Sequence, residues 1–254
     1  MYKKHSDLRA FALALLLLLS SALPWAAFGA VCFEHKAAVQ ASGAQSMTEP
    51  EQSGAKLLAL TFDDGPKRDT TSALLDGLAQ RGVRATFFLI GCNLDGCEDL
   101  VLRMDREGHQ IGLHSYNHKM LTGLSSTDFY AEVGALRERL EDLLGHNSFL
   151  LRPPYGQVDR SVQVQAGAPI ILWSIDPEDW SDEDTARQVA HIVSRAKDGD
   201  IILLHDIYPT SVDTALQVVD ALLDEGFYFL TIEELFAARG IPLEKGKVYR
   251  SACT

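Results

Sequence analysis

"LLALTFDDGP", Leu57 to Pro66, runs apolar residues into two adjacent carboxylates and then breaks the chain at Gly-Pro. Within a strand, neighbouring side chains point to opposite faces, and two like charges in contact repel. A solvated turn is the simplest reading. The alternative is that Asp63 and Asp64 stand just past a strand end, where the pleat no longer separates them. There Gly65-Pro66 would turn the chain so that both carboxylates approach one cavity. The rest of the chain decides between the two.

From Lys56 onward, short apolar runs alternate with amphipathic stretches. Seven runs read as strands: "LLALTF", "RATFFLI", "QIGLHS", "FLLR", "IILWSI", "DIILLHD" and "FYFLTI". Helical patterns lie between them, among them the long "TDFYAEVGALRERLEDLLG" and a feeble one over 162–166. Gly82, Gly108, Gly145, Gly199 and Gly226 stand where helices should stop before the next strand. Repeated strand-helix units imply a parallel sheet covered by helices. An irregular (β/α)7-type barrel, an α/β fold, closes seven such units economically; an open doubly wound sheet is the alternative. Either arrangement gathers polar site residues at the C-terminal ends of the strands.

The unusual polar residues fall at those ends. Asp63 and Asp64 follow "LALTF", His114 follows "QIGL", Arg152 follows "FLL", Asp176 and Asp179 follow "ILWSI", and His205 and Asp206 follow "IILL". His114 and His118 are four apart, so a helical turn after the strand would put both imidazoles on one side. Two His and one carboxylate make a common catalytic metal set with positions left open. An H-x-x-x-H alone is more often incidental, but an Asp pair at another strand end reverses the odds.

In order, "TFDDGP", "HSYNH", "RPPYG", "DPEDW" and "LLHD" resemble the signatures of polysaccharide deacetylases with a NodB-homology domain, carbohydrate esterase family four. The resemblance covers roughly residues 56 to 240, and the first and third segments match without change. It implies a single catalytic domain over 56–254 that removes acetyl groups from N-acetylglucosamine units, releasing acetate. Asp64, His114 and His118 would ligate a divalent metal, with zinc expected and cobalt, nickel or manganese as alternatives. Asp63 would be the general base and Arg152 would orient it. Tyr155 would offer its backbone N–H to the developing oxyanion, and His205 would be the general acid, paired with Asp176. Trp180 and Leu203 would line a small slot for the acetyl methyl. Peptidoglycan is the favoured substrate by likeness of "HDIYPTSVDTALQVVDALLDEGF" and the tail "ARGIPLEKGKVYRS" to bacterial wall deacetylases. Chitin-type oligomers come second and acetylated xylan third. An inactive carbohydrate-binding wall module would be expected to have lost Asp63 or a ligand, and neither is lost. Asp179 reads as a helix N-terminal carboxylate, and the role of Asp206 stays open.

The N-terminus "MYKKHSDLRAFALALLLLLSSALPWAAFGA" sets three cations before an apolar block and ends in a small-x-small triplet at Ala27–Gly29. That pattern predicts a signal peptide over 1–29, followed by a flexible linker over 30–55, and so a secreted or wall-associated bacterial protein. A retained membrane anchor is the alternative. Cleavage would remove three cations and one anion, taking the net charge from −12 to −14. So acidic a chain is not expected to hold nucleic acid or anionic membrane by bulk charge. An N-acetylated polysaccharide is the expected partner, and no stable protein partner is implied. Four cysteines in an exported chain suggest two disulfides, Cys92 with Cys97 in "CNLDGC" and Cys32 with Cys253 near the mature ends.

Overall fold

Alternation along β1 (Lys56–Asp63) sets the two faces of the sheet in the computed structural model, which describes residues 54–253. Leu58, Leu60 and Phe62 join the large apolar cluster shared with the helices, while Leu57 and Ala59 join a smaller inner one. Thr61 and Asp63 continue that inner column upward, as a period of two requires. The same division runs through β2 (Thr86–Leu89), with Phe87 and Leu89 outward and Phe88 inward. In β6 (Ile201–His205), Ile202 and Leu204 face outward and Ile201 inward.

The remaining strands are β3 (Gln110–Leu113), β4 (Leu150–Leu151), β5 (Ile170–Ile171), β7 (Phe227–Phe229) and β8 (Val248–Tyr249). They pair in the order β6-β1-β2-β3-β4-β5-β8, and β7 pairs with the first residues of β1. Every ladder is parallel. An isolated parallel bridge between Ile175 and Ile202 brings the chain after β5 round to β6, so the sheet curls into the expected irregular barrel. The eighth strand is the departure: β8 is two residues long, too short to show an alternation in sequence. The run "IILWSI" likewise contributes only Ile170–Ile171 as strand.

Helices α1 (Arg68–Arg81), α2 (Glu98–Arg106), α6 (Thr185–Val193) and α7 (Pro209–Asp224) bury their apolar residues in the outer cluster. The long helix is α3 (Ser126–Phe129), a π-turn over Tyr130–Gly134, and α4 (Ala135–Leu144). The feeble pattern over 162–166 belongs to α5 (Arg160–Gln165), started by the Asp159 carboxylate accepting from Val162 N–H. Helix α8 (Ile232–Ala238) differs, because its Ile232, Leu235 and Phe236 belong to the inner cluster. Its first amides donate to Thr86 Oγ1 and Gln110 Oε1 at the starts of β2 and β3, so it closes the barrel floor. Among the described residues no helix is long and apolar enough to cross a membrane.

The expected Cys92–Cys97 disulfide is not formed. Cys97 is buried in the outer cluster at the start of α2, while Cys92 is exposed in the turn Gly91–Asn93, and both thiols are free. Packing, not spacing, decided their fate. The Cys253 thiol donates to the Asp198 carbonyl at 3.3 Å. Its expected partner Cys32, the signal peptide and nearly all of the linker lie outside the described residues.

Candidate active site and metal centre

The top of the inner column carries charge instead of methyl groups. Asp63 ends β1 opposite His205, which ends β6; His114 follows β3, and Arg152 follows β4. Arg152 is fully buried. Its Nη1 donates to Asp63 Oδ1 and Thr61 Oγ1, both at 2.8 Å, and Nε and Nη2 donate to the Ile171 and Leu172 carbonyls at 3.2 Å. Its guanidinium lies 4.1 Å over the Phe88 ring. A buried ion pair of this kind persists only when both charges are otherwise hydrogen-bonded, as Arg152 is here. Gly112 has to be glycine, since a Cβ would press on Phe88, which carries that guanidinium.

Asp64 takes the left-handed conformation at φ 75°, which turns its carboxylate back toward the cluster that the pleat would have denied it. Its Oδ1 lies 3.4 Å from His114 Nε2 and 3.4 Å from His118 Nε2. Segment "HSYNH" is not helical: Ser115 (φ 67°) and His118 (φ 54°) fold it into a loop that brings both rings to the same side, 5.1 Å apart. The Arg152 carbonyl can only accept, so His114 Nδ1, 2.7 Å away, carries the proton and Nε2 presents its lone pair to Asp64. Burial lowers the His114 pKa and favours the same neutral ring. Asp64 Oδ1 is a buried acceptor with no hydrogen-bond partner. An orphaned carboxylate oxygen between two imidazole nitrogens, all within 4.8 Å of one another, fits a divalent cation.

Two elements hold this loop that the motifs did not reveal. Glu132, buried in the π-turn, accepts from Tyr116 N–H at 3.1 Å, Asn117 N–H at 2.9 Å and Asn117 Nδ2 at 3.3 Å. From the other side, Gly91 and Cys92 donate their amides to the Ser115 and Tyr116 carbonyls, and Asn93 Nδ2 donates to the Asp64 carbonyl at 2.8 Å. π-Turns often occur at functional sites. The sequence did carry a signal for Glu132: Phe129, Val133, Leu136 and Leu140 mark the buried stripe, and an acid stands inside it.

His205 pairs with Asp179, not with Asp176. Its Nδ1 lies 2.8 Å from Asp179 Oδ1, and its backbone N–H donates to Asp179 Oδ2 at 2.8 Å. Burial works against the imidazolium, but the hydrogen bond and charge of Asp179, with Asp63 and Asp64 beyond, outweigh it and lift the His205 pKa to about 9. Asp176 instead accepts the Glu178 N–H at 2.8 Å. Pro177 and left-handed Glu178 (φ 57°) reverse the chain between the two acids, so the second returns to β6 and the first folds onto its own loop. Burial raises the Asp176 pKa.

Tyr155, at φ 62°, forms the outer edge of the site, its ring 4.7 Å from that of His118. Leu203 lies on the inward face of β6, one pleat below His205 and opposite Thr61. Trp180 follows Asp179 and is more than half exposed. Asp206 is buried beneath the "DDGP" turn, accepts the Thr71 hydroxyl, and occupies the space a Cβ at Gly65 would need. Burial lifts its pKa to about 7.

Comparison with known proteins places this geometry. Residues 51–170 match the family model described as polysaccharide deacetylase. The chain is 36% identical over 191 residues to the peptidoglycan-N-acetylmuramic acid deacetylase PdaC of Bacillus subtilis, covering 75% of this chain and 40% of that one. It is 38% identical over 200 residues to the peptidoglycan-N-acetylglucosamine deacetylase PgdA of Listeria monocytogenes, covering 79% and 42%. The chain thus spans about two fifths of the length of these relatives. A solved structure described as T48 deacetylase with substrate superposes with a TM-score of 0.73 at 38% identity, covering 77% of this chain and 96% of that one.

Proposed function

The chain belongs to the polysaccharide deacetylase family, and on that premise we propose that it hydrolyses the acetamide of N-acetylhexosamine units, of peptidoglycan first, and releases acetate. Its relatives' wall substrates and the leader-like N-terminus support action outside the cytoplasm. The observation that carries this reading is the register that sets Asp63 opposite His205 beside the Asp64–His114–His118 cluster.

Arg152 occupies Asp63 Oδ1 and leaves Oδ2 facing the cluster, 3.6 Å from His114 Nε2. Held in this way, Asp63 is placed to take a proton from an attacking water. A divalent cation held by Asp64, His114 and His118, zinc for preference, would polarise the acetamide carbonyl and acidify that water. An amine leaves poorly unless protonated. His205 holds its Nδ1 proton against Asp179, so Nε2 is free to deliver the proton the departing nitrogen needs. The backbone N–H of Tyr155, in its left-handed turn beside His118, would meet the developing oxyanion, and Leu203 and Trp180 would border the acetyl methyl.

Purified protein incubated with muropeptides, chito-oligomers and acetylxylan, with and without chelator, tests this by acetate release. Chelator-sensitive release from muropeptides is expected. Release from chito-oligomers or acetylxylan alone would move the substrate assignment, and none from any of the three would sink the reading.

A further inference from the structure

A cavity of about 480 Å³ opens beside the Pro154–Gly156 turn, and its walls include Gly156, Asp159, Arg160, Leu172 and Arg250. It adjoins the site on two sides. Gly156 follows Tyr155, whose ring meets His118, and the Leu172 carbonyl accepts from Arg152 Nη2. The charges differ from those of the site itself. Eight of the thirteen arginines among the described residues close an ion pair; Arg160 and Arg250 are among the five that reach no carboxylate there, and they are the two that meet at one cavity. Asp159, the acid of the lining, is already committed: Oδ1 accepts from Val162 N–H at 2.9 Å and Oδ2 from Gly123 N–H at 3.2 Å. In a chain of net charge −12, a hollow lined by two arginines against one acid, next to a cluster of acids, calls for an anion.

We propose that this cavity takes a carboxylate carried by the same glycan whose acetamide is cleaved. The inference rests on the deacetylase reading above. Guanidinium groups are suited to carboxylates because their planar forks can donate two parallel hydrogen bonds. Muramyl units bear such a group on the lactyl ether or on its attached peptide, and uronic acids bear one in acidic xylans. Chitin-type oligomers bear none. The cavity therefore selects acidic over neutral glycans without touching the reacting bond.

Binding of a muramyl-containing tetrasaccharide, a glucuronoxylan oligomer and chitotetraose to the purified protein is compared by calorimetry, in chelator so that the acetyl groups stay in place. The muramyl ligand should bind about fivefold tighter than chitotetraose, a preference of the size expected for two exposed charge pairs, and should lose it at high salt. Arg160→Gln combined with Arg250→Gln should abolish that ratio, and Arg160→Lys alone, which keeps the charge but loses the fork, should reduce it in part. Equal tightening by both acidic glycans supports a carboxylate site open to either source, and tightening by the muramyl ligand alone supports it and names the source. Equal affinity for all three, no binding of any, or a preference that survives the double substitution overturns the proposal. Acetate release in metal-replete protein is followed in parallel. Its absence with every glycan would sink the deacetylase reading while the binding ratio still reports on the cavity.

Discussion

At the helix ends the chain passes through positive φ at Gly82, Gly108, Gly145 and Gly226, while Gly199 does so in a separate turn well past α6; above the strands the same conformation falls on Asp64, Ser115, His118, Tyr155 and Glu178. Glycine accepts this region freely; any other residue gives up about 1 kcal/mol or more. Where a helix only has to stop, nothing but the turn is needed, and the inexpensive residue stands there. Above the strands the side chains of Asp64 and His118 are needed for the candidate metal site, so the strain is retained there and borne by the packing beneath. Three of the five, Asp64, His118 and Tyr155, are residues to which the proposed reaction assigns a role.

The comparison breaks first at the carboxylates. Asp63→Asn should lower acetate release by about a thousandfold with metal content unchanged, the scale of a lost general base. Asp64→Ala should instead empty the site of metal, read by elemental analysis. Next comes the pair on β6. Asp179→Ala should cost about a hundredfold in rate, and Asp176→Ala much less. In the native protein the His205 imidazolium is lost as pH rises through about 9; without Asp179, burial dominates and the loss should move below the ordinary histidine value. Because the folded pKa is raised, the stability this pair contributes is fully present below about 6.5 and disappears as pH climbs through 9. A pH-rate profile and a pH series of unfolding curves check both.

Smaller effects sharpen the contrast. Glu132→Ala should weaken metal binding at least about tenfold by freeing the loop of His114 and His118, with partial rescue by Glu132→Gln. Calorimetric titration with zinc reads this without reference to turnover. Last, Gly82→Ala should cost about 1 kcal/mol of stability at unchanged rate, since a Cβ there meets nothing and only the backbone objects. Glu178→Gly should raise stability by a few tenths of a kcal/mol to about 1 kcal/mol in urea unfolding.

The fold was legible because its signals are local. Apolar runs of strand length, glycines at helix ends and polar residues at run ends each report on a few neighbouring residues. The candidate metal residues were legible for the same reason, although the loop geometry was not: Ser115 and His118 reach by positive φ what a helical turn was expected to supply. What stayed hidden depends on direction or on distant packing. The choice between Asp176 and Asp179 turns on the chain reversal at Pro177–Glu178, which "DPEDW" does not spell out. Cys97 is claimed by the apolar cluster under α2, a contact the spacing "CNLDGC" cannot express. Glu132 carried a fainter signal, an acid inside an apolar stripe, whose meaning depends on that stripe being buried.

The parallel ladder between β1 and β6 has a consequence for how such a molecule can change over generations. Asp63 and His205 are direct partners in that ladder, so the spacing of the proposed proton acceptor and donor is the interstrand spacing of a sheet, about 4.8 Å between backbones. A slip of one residue would turn either side chain into the outer apolar layer and end the chemistry outright. No loop takes part in this ruler. Loops above the strands can diverge toward other polymers, while the distance on which the proposed hydrolysis depends is inherited with the strands themselves.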